Sequence, residues 1–349
     1  MSFCTGVIKS TSPARVHRGI LEAGGRTAGF LERQKMGRYM LKRAGQALVV
    51  LVLVSIFAYL LTYMIPGDPV YAMLGGDITK EQYDIAYQAM HLDQPIYIRY
   101  VRWLGDFVRG NWGKSYRYSQ TVTSLLRARL PVTMYLGVWS IIVSTLIGII
   151  LGVLCGTHRG QFLDSLLITC ANFGAVMPPF WLAVLGMYIF ALKLGILPTH
   201  GFVLPTENLG ESIRTTVLPL IALSVGSIGG TTRQMRSGML DVIRQDYIRT
   251  ARSKGLTERS ITWKHAFRNA VLPVVTLTGM CFRNIVAGAI SIEQIFAIGG
   301  MGSLMINAIL SKDVAVVQAC IMLTAIVVTL SNLLVDIAYG VIDPRIRVE

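Results

Sequence analysis

The residues whose types and spacing are most distinctive lie in a basic stretch from Thr232 to Leu272. Its centre reads Asp246-Tyr247-Ile248-Arg249-Thr250-Ala251-Arg252-Ser253-Lys254-Gly255-Leu256, and it runs on to Asn269-Ala270-Val271-Leu272-Pro273. The pattern suits docking and the transmission of force rather than bond making. Leu240, Ile243, Tyr247 and Ala251 recur at helical spacing and predict one apolar stripe, with Arg244, Arg249 and Arg252 pointing elsewhere. Gly255 supplies the permissive backbone of a helix C-terminus, and Thr257 is the N-cap type for a second helix. Two short amphipathic helices joined at a glycine and anchored at both ends form a rigid knob, able to fit a partner's groove and pass on its motion. The competing reading of the same residues is a solvated basic loop resting on anionic lipid.

Other chemistries fail on spacing. Gly110-Asn111-Trp112-Gly113-Lys114-Ser115 imitates a phosphate loop but has two residues between its glycines where four are required. The five histidines are scattered, and no serine, histidine and carboxylate set has a nucleophile context, so the chain is not expected to be an enzyme. Cys4, Cys155, Cys170, Cys281 and Cys320 stand singly, which predicts small packing residues rather than disulfides or metal ligands. No cofactor and no metal are expected on this chain.

The elements that must position the loop are membrane spans. The composition is 53% hydrophobic and 15% charged, far below the roughly 25% charged usage of soluble domains. A hydrocarbon core about 30 Å thick needs roughly 20 apolar residues per helix. Six such runs occur: Ala47 to Ile65, Thr133 to Gly156, Ser165 to Leu197, Val217 to Thr232, Ala270 to Ile292 and Val314 to Val335. Pro178-Pro179 breaks the third into a short lead-in helix and one true span. Nine Lys and Arg against two acids precede the first span, and nine against three lie in the 232 to 272 loop. The positive-inside rule then places the N-terminus, that loop and the C-terminus in the cytoplasm, and it accounts for the net charge of +14 without nucleic acid. The fold class is therefore an all-α polytopic membrane protein with six transmembrane helices.

The domains expected are a basic flexible tail over 1–45, a first span over 46–66, an outward-facing loop subdomain over 67–132, a core over 133–338 holding the loop at 233–269, and a cytoplasmic C-terminus over 339–349. The tail lacks the apolar segment of a cleaved signal peptide, and Met36 or Met40 is a candidate start. Gly148, Gly152 and Gly156, four residues apart, predict a close helix contact, and Gly226, Gly229 and Gly230 give the fourth span a thin face. Arg283 stands inside an apolar run, at a cost of at least about 2.5 to 3.5 kcal/mol, and with Asn284 is the candidate pathway pair. The alternative is an ion pair with an acid such as Asp336.

The run DYIRTARSKGL followed by HAFRNAVLPVV resembles the coupling loop of the permease subunits of binding-protein-dependent ABC importers. Aligned on Gly255, Arg249-Thr250-Ala251 stands where the generic pattern has Glu-Ala-Ala, a departure found in the peptide and nickel branch. Ile65-Pro66-Gly67-Asp68-Pro69 after the first span and Tyr339-Gly340-Val341-Ile342-Asp343-Pro344-Arg345 after the last resemble the bracketing motifs of that branch's B-type subunit. The resemblance covers about residues 37 to 349. It implies the ABC type I importer permease fold (MetI-like) in the bacterial inner membrane. It also implies ATPase contact through Asp246, Tyr247, Arg249, Thr250, Ala251, Lys254, Gly255 and Leu256. The implied partners are a second homologous permease, cytoplasmic ATP-binding subunits that hold the ATP and Mg, an extracytoplasmic solute-binding protein and membrane lipid, with no nucleic acid. The implied substrates are di- or oligopeptides, with nickel chelates, opines or glutathione as alternatives. An ion-driven secondary carrier is the remote alternative. Glu293 to Gly302 resembles the outward loop after the fifth span, where relatives carry Pro in place of Gly299. The change predicts a looser loop, one that closes the outer mouth or touches the binding protein, or else an ordinary Gly-rich turn.

Overall fold

The computed structural model describes residues 40–61, 64, 68–75, 78–281 and 285–342. They form helices α1 (Met40–Leu61), α2 (Pro69–Leu74), α3 (Lys80–Ala89), α4 (Ile96–Val108), α5 (Val122–Thr157), α6 (Phe162–Val176), α7 (Pro179–Gly186) and α8 (Leu209–Ile243). After them come α9 (Asp246–Ser253), α10 (Glu258–Ser260), α11 (Phe267–Ala270), α12 (Leu272–Cys281), α13 (Ile285–Ile295), α14 (Met301–Leu310) and α15 (Val314–Ile342). π-Helical turns continue α7 over Met187–Lys193 and join α10 to α11 over Ile261–Ala266. Contacts divide the chain into two units, one of residues 1–49 with 336–349 and one of residues 50–335. In the first, Arg43 Nε lies 3.3 Å from the Asp336 carboxylate.

Among the described residues four helices are long and apolar enough to cross a membrane: α1, α5, α8 and residues 314–336 of α15. The α6–α7 pair, α7 taken with its π-helical continuation, is apolar enough to make a fifth if it counts as one span, but it is bent by 102° at the break. The expected cut at Pro178 is where the bend falls: Met177 is extended, Pro178 caps α7, and Pro179 opens it, where a missing N–H costs nothing. The expected span from Ala270 to Ile292 is not one continuous described helix. It divides among α11, α12 and α13, with residues 282–284 outside the described residues. The span expected over Val217 to Thr232 is the middle of a 35-residue helix, and the one from Thr133 begins earlier, at Val122, carrying Pro131 inside it. Charge sets the end of an apolar run, but a helix whose backbone bonds are already made continues through Arg233 and Arg236.

The second unit is built on α8. Gly148, Gly152 and Gly156 of α5 face Thr231, Met235 and Met239 of α8, and a Cβ on any of the three would overlap those side chains. The glycines are thus a packing seam. Because both series ascend together, α5 and α8 run parallel. Against α8 the α6 contacts descend, Asp164 with Arg236, Ala171 with Gly229 and Gly174 with Val225, so α6 is antiparallel. Thr133 meets Glu293 and Thr145 meets Thr278, so α12 and α13 run antiparallel to α5. Of the fourth span's glycines only Gly229 is enclosed, by Ala171 and Ala175; Gly226 and Gly230 face open space.

Between α1 and α5 stand α2, α3 and α4. Tyr59, Tyr100, Trp103, Phe107 and Trp112 form a ladder of rings from α1 along α4, with centroids 4.8 to 6.2 Å apart. Ser115, buried, donates to Asp313 at 2.5 Å and pins the loop after α4 to the start of α15. Large apolar side chains stay outside on the long helices, among them Leu53, Phe57, Leu146, Phe173 and Leu334, the reverse of a water-soluble bundle.

Candidate functional site: the helix-glycine-helix loop and its support

α8 ends at Ile243; Arg244 closes it and Gln245, in extended conformation, starts α9. This turn resets the helical phase. The stripe expected from Leu240 through Ala251 is therefore corrected: α9 buries Ile248 and Ala251, while Tyr247 is exposed and accepts a hydrogen bond from Asn269 Nδ2 at 2.9 Å. Ile248 was passed over in the sequence because it falls between the two phases. With Ala251 it belongs to one buried cluster with Val153, Met235, Met239, Ile261, Ala266, Ala270 and Val274. Asp246, Arg249, Thr250, Lys254, Gly255 and Leu256 are exposed, so the proposed contact residues share a free surface while Ala251 forms part of its foundation.

The joint is made as its residue types predict. Gly255 has φ of +75°, its N–H donates to Arg252 O at 2.9 Å, and Leu256 N–H donates to Ala251 O at 3.4 Å. These bonds satisfy the last carbonyls of α9 through a left-handed residue that glycine adopts at no steric cost. Thr257 Oγ1 accepts from Ser260 N and caps the second run. Across the glycine, the Arg252 guanidinium grips Glu258 in two bonds, 2.8 and 3.3 Å. Arg252 holds the Glu258 carboxyl below the usual carboxylate range. A depressed folded pKa gives stability that is present above the unfolded value and lost as pH falls through the folded one. The clasp is therefore expected to be constant across neutral pH and to open only in acid. Both partners are exposed, so Arg252→Ala should cost no more than about 1 kcal/mol, and a larger loss in thermal denaturation at pH 7 would contradict this.

Beneath the knob, Asp164 at the start of α6 is almost fully buried and takes two bonds from Arg236 of α8, Nε to Oδ1 at 2.7 Å and Nη2 to Oδ2 at 2.8 Å, plus one from Gly160 N at 3.1 Å. One turn earlier on α8, Arg233 donates to Asn172 Oδ1 at 2.8 Å. Gly238 lies against the Ala270 carbonyl, close enough that a Cβ would strike it. The α8 end, the α6 start and the return run into α12 thus form one block carrying α9. Pairs this far apart in sequence leave no local pattern to find.

The remaining candidates fall elsewhere. Arg283, Asn284, Pro66, Gly67, Asp343 and Pro344 lie outside the described residues. Asp336, the alternative partner for Arg283, is ion-paired with Arg43. Asp68 caps α2 by accepting from Val70 N at 2.8 Å and accepts from the Tyr83 hydroxyl at 2.6 Å, which pushes that hydroxyl up to about 12; Pro69 is the first residue of α2. The expectation of a looser loop after Glu293 is corrected. Glu293 is fully buried, accepting from Thr133 Oγ1 at 2.5 Å and Ser303 N at 2.9 Å, while Met301 N donates to the same Thr133 oxygen at 2.8 Å. A Cβ on Gly299 would strike the Arg129 guanidinium, and one on Gly300 the Glu293 carboxylate, so the glycines allow a tight cradle rather than slack. Among the described residues no cluster of His, Cys, Asp and Glu could hold a metal.

Residues 148–348 match the family described as binding-protein-dependent transport system inner membrane component, and residues 36–137 match its N-terminal family. A putative peptide transport system permease protein of Brucella abortus is 37% identical over 314 residues, covering 90% of this chain and all of the relative. The oligopeptide transport system permease protein AppB of Bacillus subtilis is 34% identical, covering 89% of this chain and all of the relative. A probable peptide ABC transporter permease protein of Sinorhizobium fredii is likewise 34% identical, covering 89% of this chain.

Proposed function

Because this chain belongs to the family of inner-membrane components of binding-protein-dependent transport systems, and is a multi-pass inner-membrane protein, we propose that it is one permease half of an ABC importer of di- or oligopeptides. It pairs with a second, homologous permease, receives substrate from an extracytoplasmic binding protein, and is driven by separate ATP-binding subunits that hold ATP and Mg. Peptides are preferred over nickel chelates, opines or glutathione because the relatives matched over nearly the whole chain bear peptide-permease names.

The observation that carries the mechanism is the exposed α9 knob seated on a block that includes α8 and α6. ATP draws the ATPase subunits together, their grooves carry α9, and the block rocks the spans between inward- and outward-facing states. The path reads as six crossings: α1, α5, the bent α6–α7 pair, α8, α12 with α13, and α15. Parallel α5 and α8 require a single net return between them, which favours counting the bent pair once. With the basic loop on the cytoplasmic side, both termini are cytoplasmic.

Gly255→Val forces a β-branched residue into the left-handed region at a cost of about 1–3 kcal/mol, and Ala251→Asp puts a carboxylate into an apolar contact. Both variants are expected to insert but to lose uptake per ATP hydrolysed. Peptide uptake and substrate-stimulated ATPase in reconstituted complexes test this, and wild-type coupling in both variants would overturn the lever.

A further inference from the structure

Two side chains of opposite charge flank the turn after α13 and do not meet. Glu293 is fully buried, and its carboxylate takes only neutral donors: the Thr133 hydroxyl at 2.5 Å and the N–H groups of Gly302 and of Ser303, the latter at 2.9 Å. Those two N–H groups belong to the first turn of α14, whose N-cap, Gly300, has no side chain to offer. Glu293 therefore caps α14 from the end of α13. Arg129 lies one turn before Thr133 on the same face of α5 and is half-buried. Its charge acts on Glu293 through space, yet the two are not within the 4.0 Å of an ion pair, and among the described residues the Arg129 guanidinium makes no hydrogen bond.

The turn itself keeps them apart. The guanidinium stands where a Cβ of Gly299 would lie and the carboxylate where a Cβ of Gly300 would lie, so each group presses on one of two adjacent residues. A guanidinium has five donors and matches a carboxylate better than neutral groups do. A small displacement of the turn would bring the two together, and one carboxylate cannot both cap α14 and face Arg129. The Thr133 oxygen makes the choice sharper, since it donates to Glu293 and accepts from Met301 N at 2.8 Å, holding the acid and the start of α14 at one point. The same turn is tied to the loop before α8, where Gly201 N donates to Phe296 O at 3.0 Å and Phe202 packs edge-on against Tyr135 of α5.

We propose that Glu293 is a two-position latch, capping α14 in this conformation and, in the other conformation of the transport cycle, releasing α14 to pair with Arg129. Its place in the bundle gives the latch a task. Thr133 stands nineteen residues before Gly152, which faces Met235 beside Arg236, so about 28 Å of α5 separates the latch from the block that carries α9. Motion delivered to one end of α5 is then answered at the other by release or recapture of α14. The proposal rests on the importer reading for the cycle that drives it.

The test compares complete complexes in proteoliposomes carrying Arg129→Gln, Arg129→Lys, Thr133→Val, or Thr133→Val with Arg129→Gln. Arg129→Gln is expected to leave the melting temperature of the complex unchanged, because the side chain makes no bond in this conformation, and to lower peptide uptake severalfold; Arg129→Lys should restore most of it. Thr133→Val removes the hydroxyl donor and should populate the paired state, read as a severalfold change in ATPase activity without binding protein, and Arg129→Gln should cancel that change. Full uptake in Arg129→Gln, a melting temperature that falls along with its uptake, or a Thr133→Val effect that persists without Arg129 would overturn the latch. If Thr133→Val does not assemble, Arg129→Gln and its rescue by Lys decide alone. Failure of the parent complex to take up any peptide would instead strike the importer reading, and the ATPase comparison would still decide the latch.

Discussion

Gly152→Val is expected to part α5 from α8 and to give the largest loss of stability of any single substitution along that seam. The added Cβ falls on Met235 Cβ and lies 2.8 Å from the Thr232 carbonyl oxygen, and the latter is backbone that no rotamer change can move. Overpacking a core typically costs about 1–3 kcal/mol, and this site should reach or exceed the upper figure because relief requires moving a whole helix. The same seam feeds α9 its support, since Met235 lies in the cluster beneath Ile248 and Ala251. Lower yield of assembled complex should therefore accompany the lost stability. Gly226→Ala is the matched control, with nothing within 4 Å of the added Cβ. Thermal denaturation in detergent compares the two, and equal melting temperatures would refute the seam.

Arg236→Ala should be nearly as damaging, by a different route. It leaves the Asp164 carboxylate, with a side chain 4% exposed, to the Gly160 backbone N–H and the weakly donating Cys155 thiol. Removing one partner of a buried pair costs about 3–5 kcal/mol, mostly the penalty of the stranded charge. Asp164→Ala should cost less, because the Arg236 side chain is 28% exposed and its guanidinium can reach water. The double variant should be more stable than Arg236→Ala alone. Denaturant titration of the three variants closes the cycle, and additivity within about 0.5 kcal/mol would show that the pair does not act as one. Because the pair joins the α6 start to the α8 end, Arg236→Lys, which keeps the charge but not the two-pronged grip, is expected to lower uptake per ATP more than it lowers stability.

Local chemistry made much of this legible beforehand. Pro178-Pro179 marked a break and Gly255-Leu256-Thr257 marked a stop and a start, because each acts through its own backbone within a few residues. Glycines at 148, 152 and 156 announced a close approach, though not that α8 would fill it. The stripe through Ile243 misled because nothing in Ile243-Arg244-Gln245 has the Gly or Pro that signals a helix end. Asp164 with Arg236, 72 positions apart, and Thr133 with Glu293, 160 apart, were invisible for another reason: each is a single polar residue whose partner is chosen by the packing of whole helices. Gly299 misled because the loss of Pro suggested slack, whereas the vacated volume admits Arg129.

The π-helical turn from Ile261 to Ala266 has a consequence for how the run between α8 and α12 tolerates length change. Ile261 and Ala266 are both buried in the same cluster although five positions apart, a spacing that would put them on different sides of an α-helix and that i to i+5 bonding brings into line. One residue is accordingly accommodated in a widened coil. Deleting an exposed member such as Lys264 would let the coil tighten to ordinary α-helix with its flanks still in phase, whereas the same deletion in α12 would turn everything beyond it by about 100°. The gearing between the knob and the helices that follow is thus expected to survive a single deletion at this place.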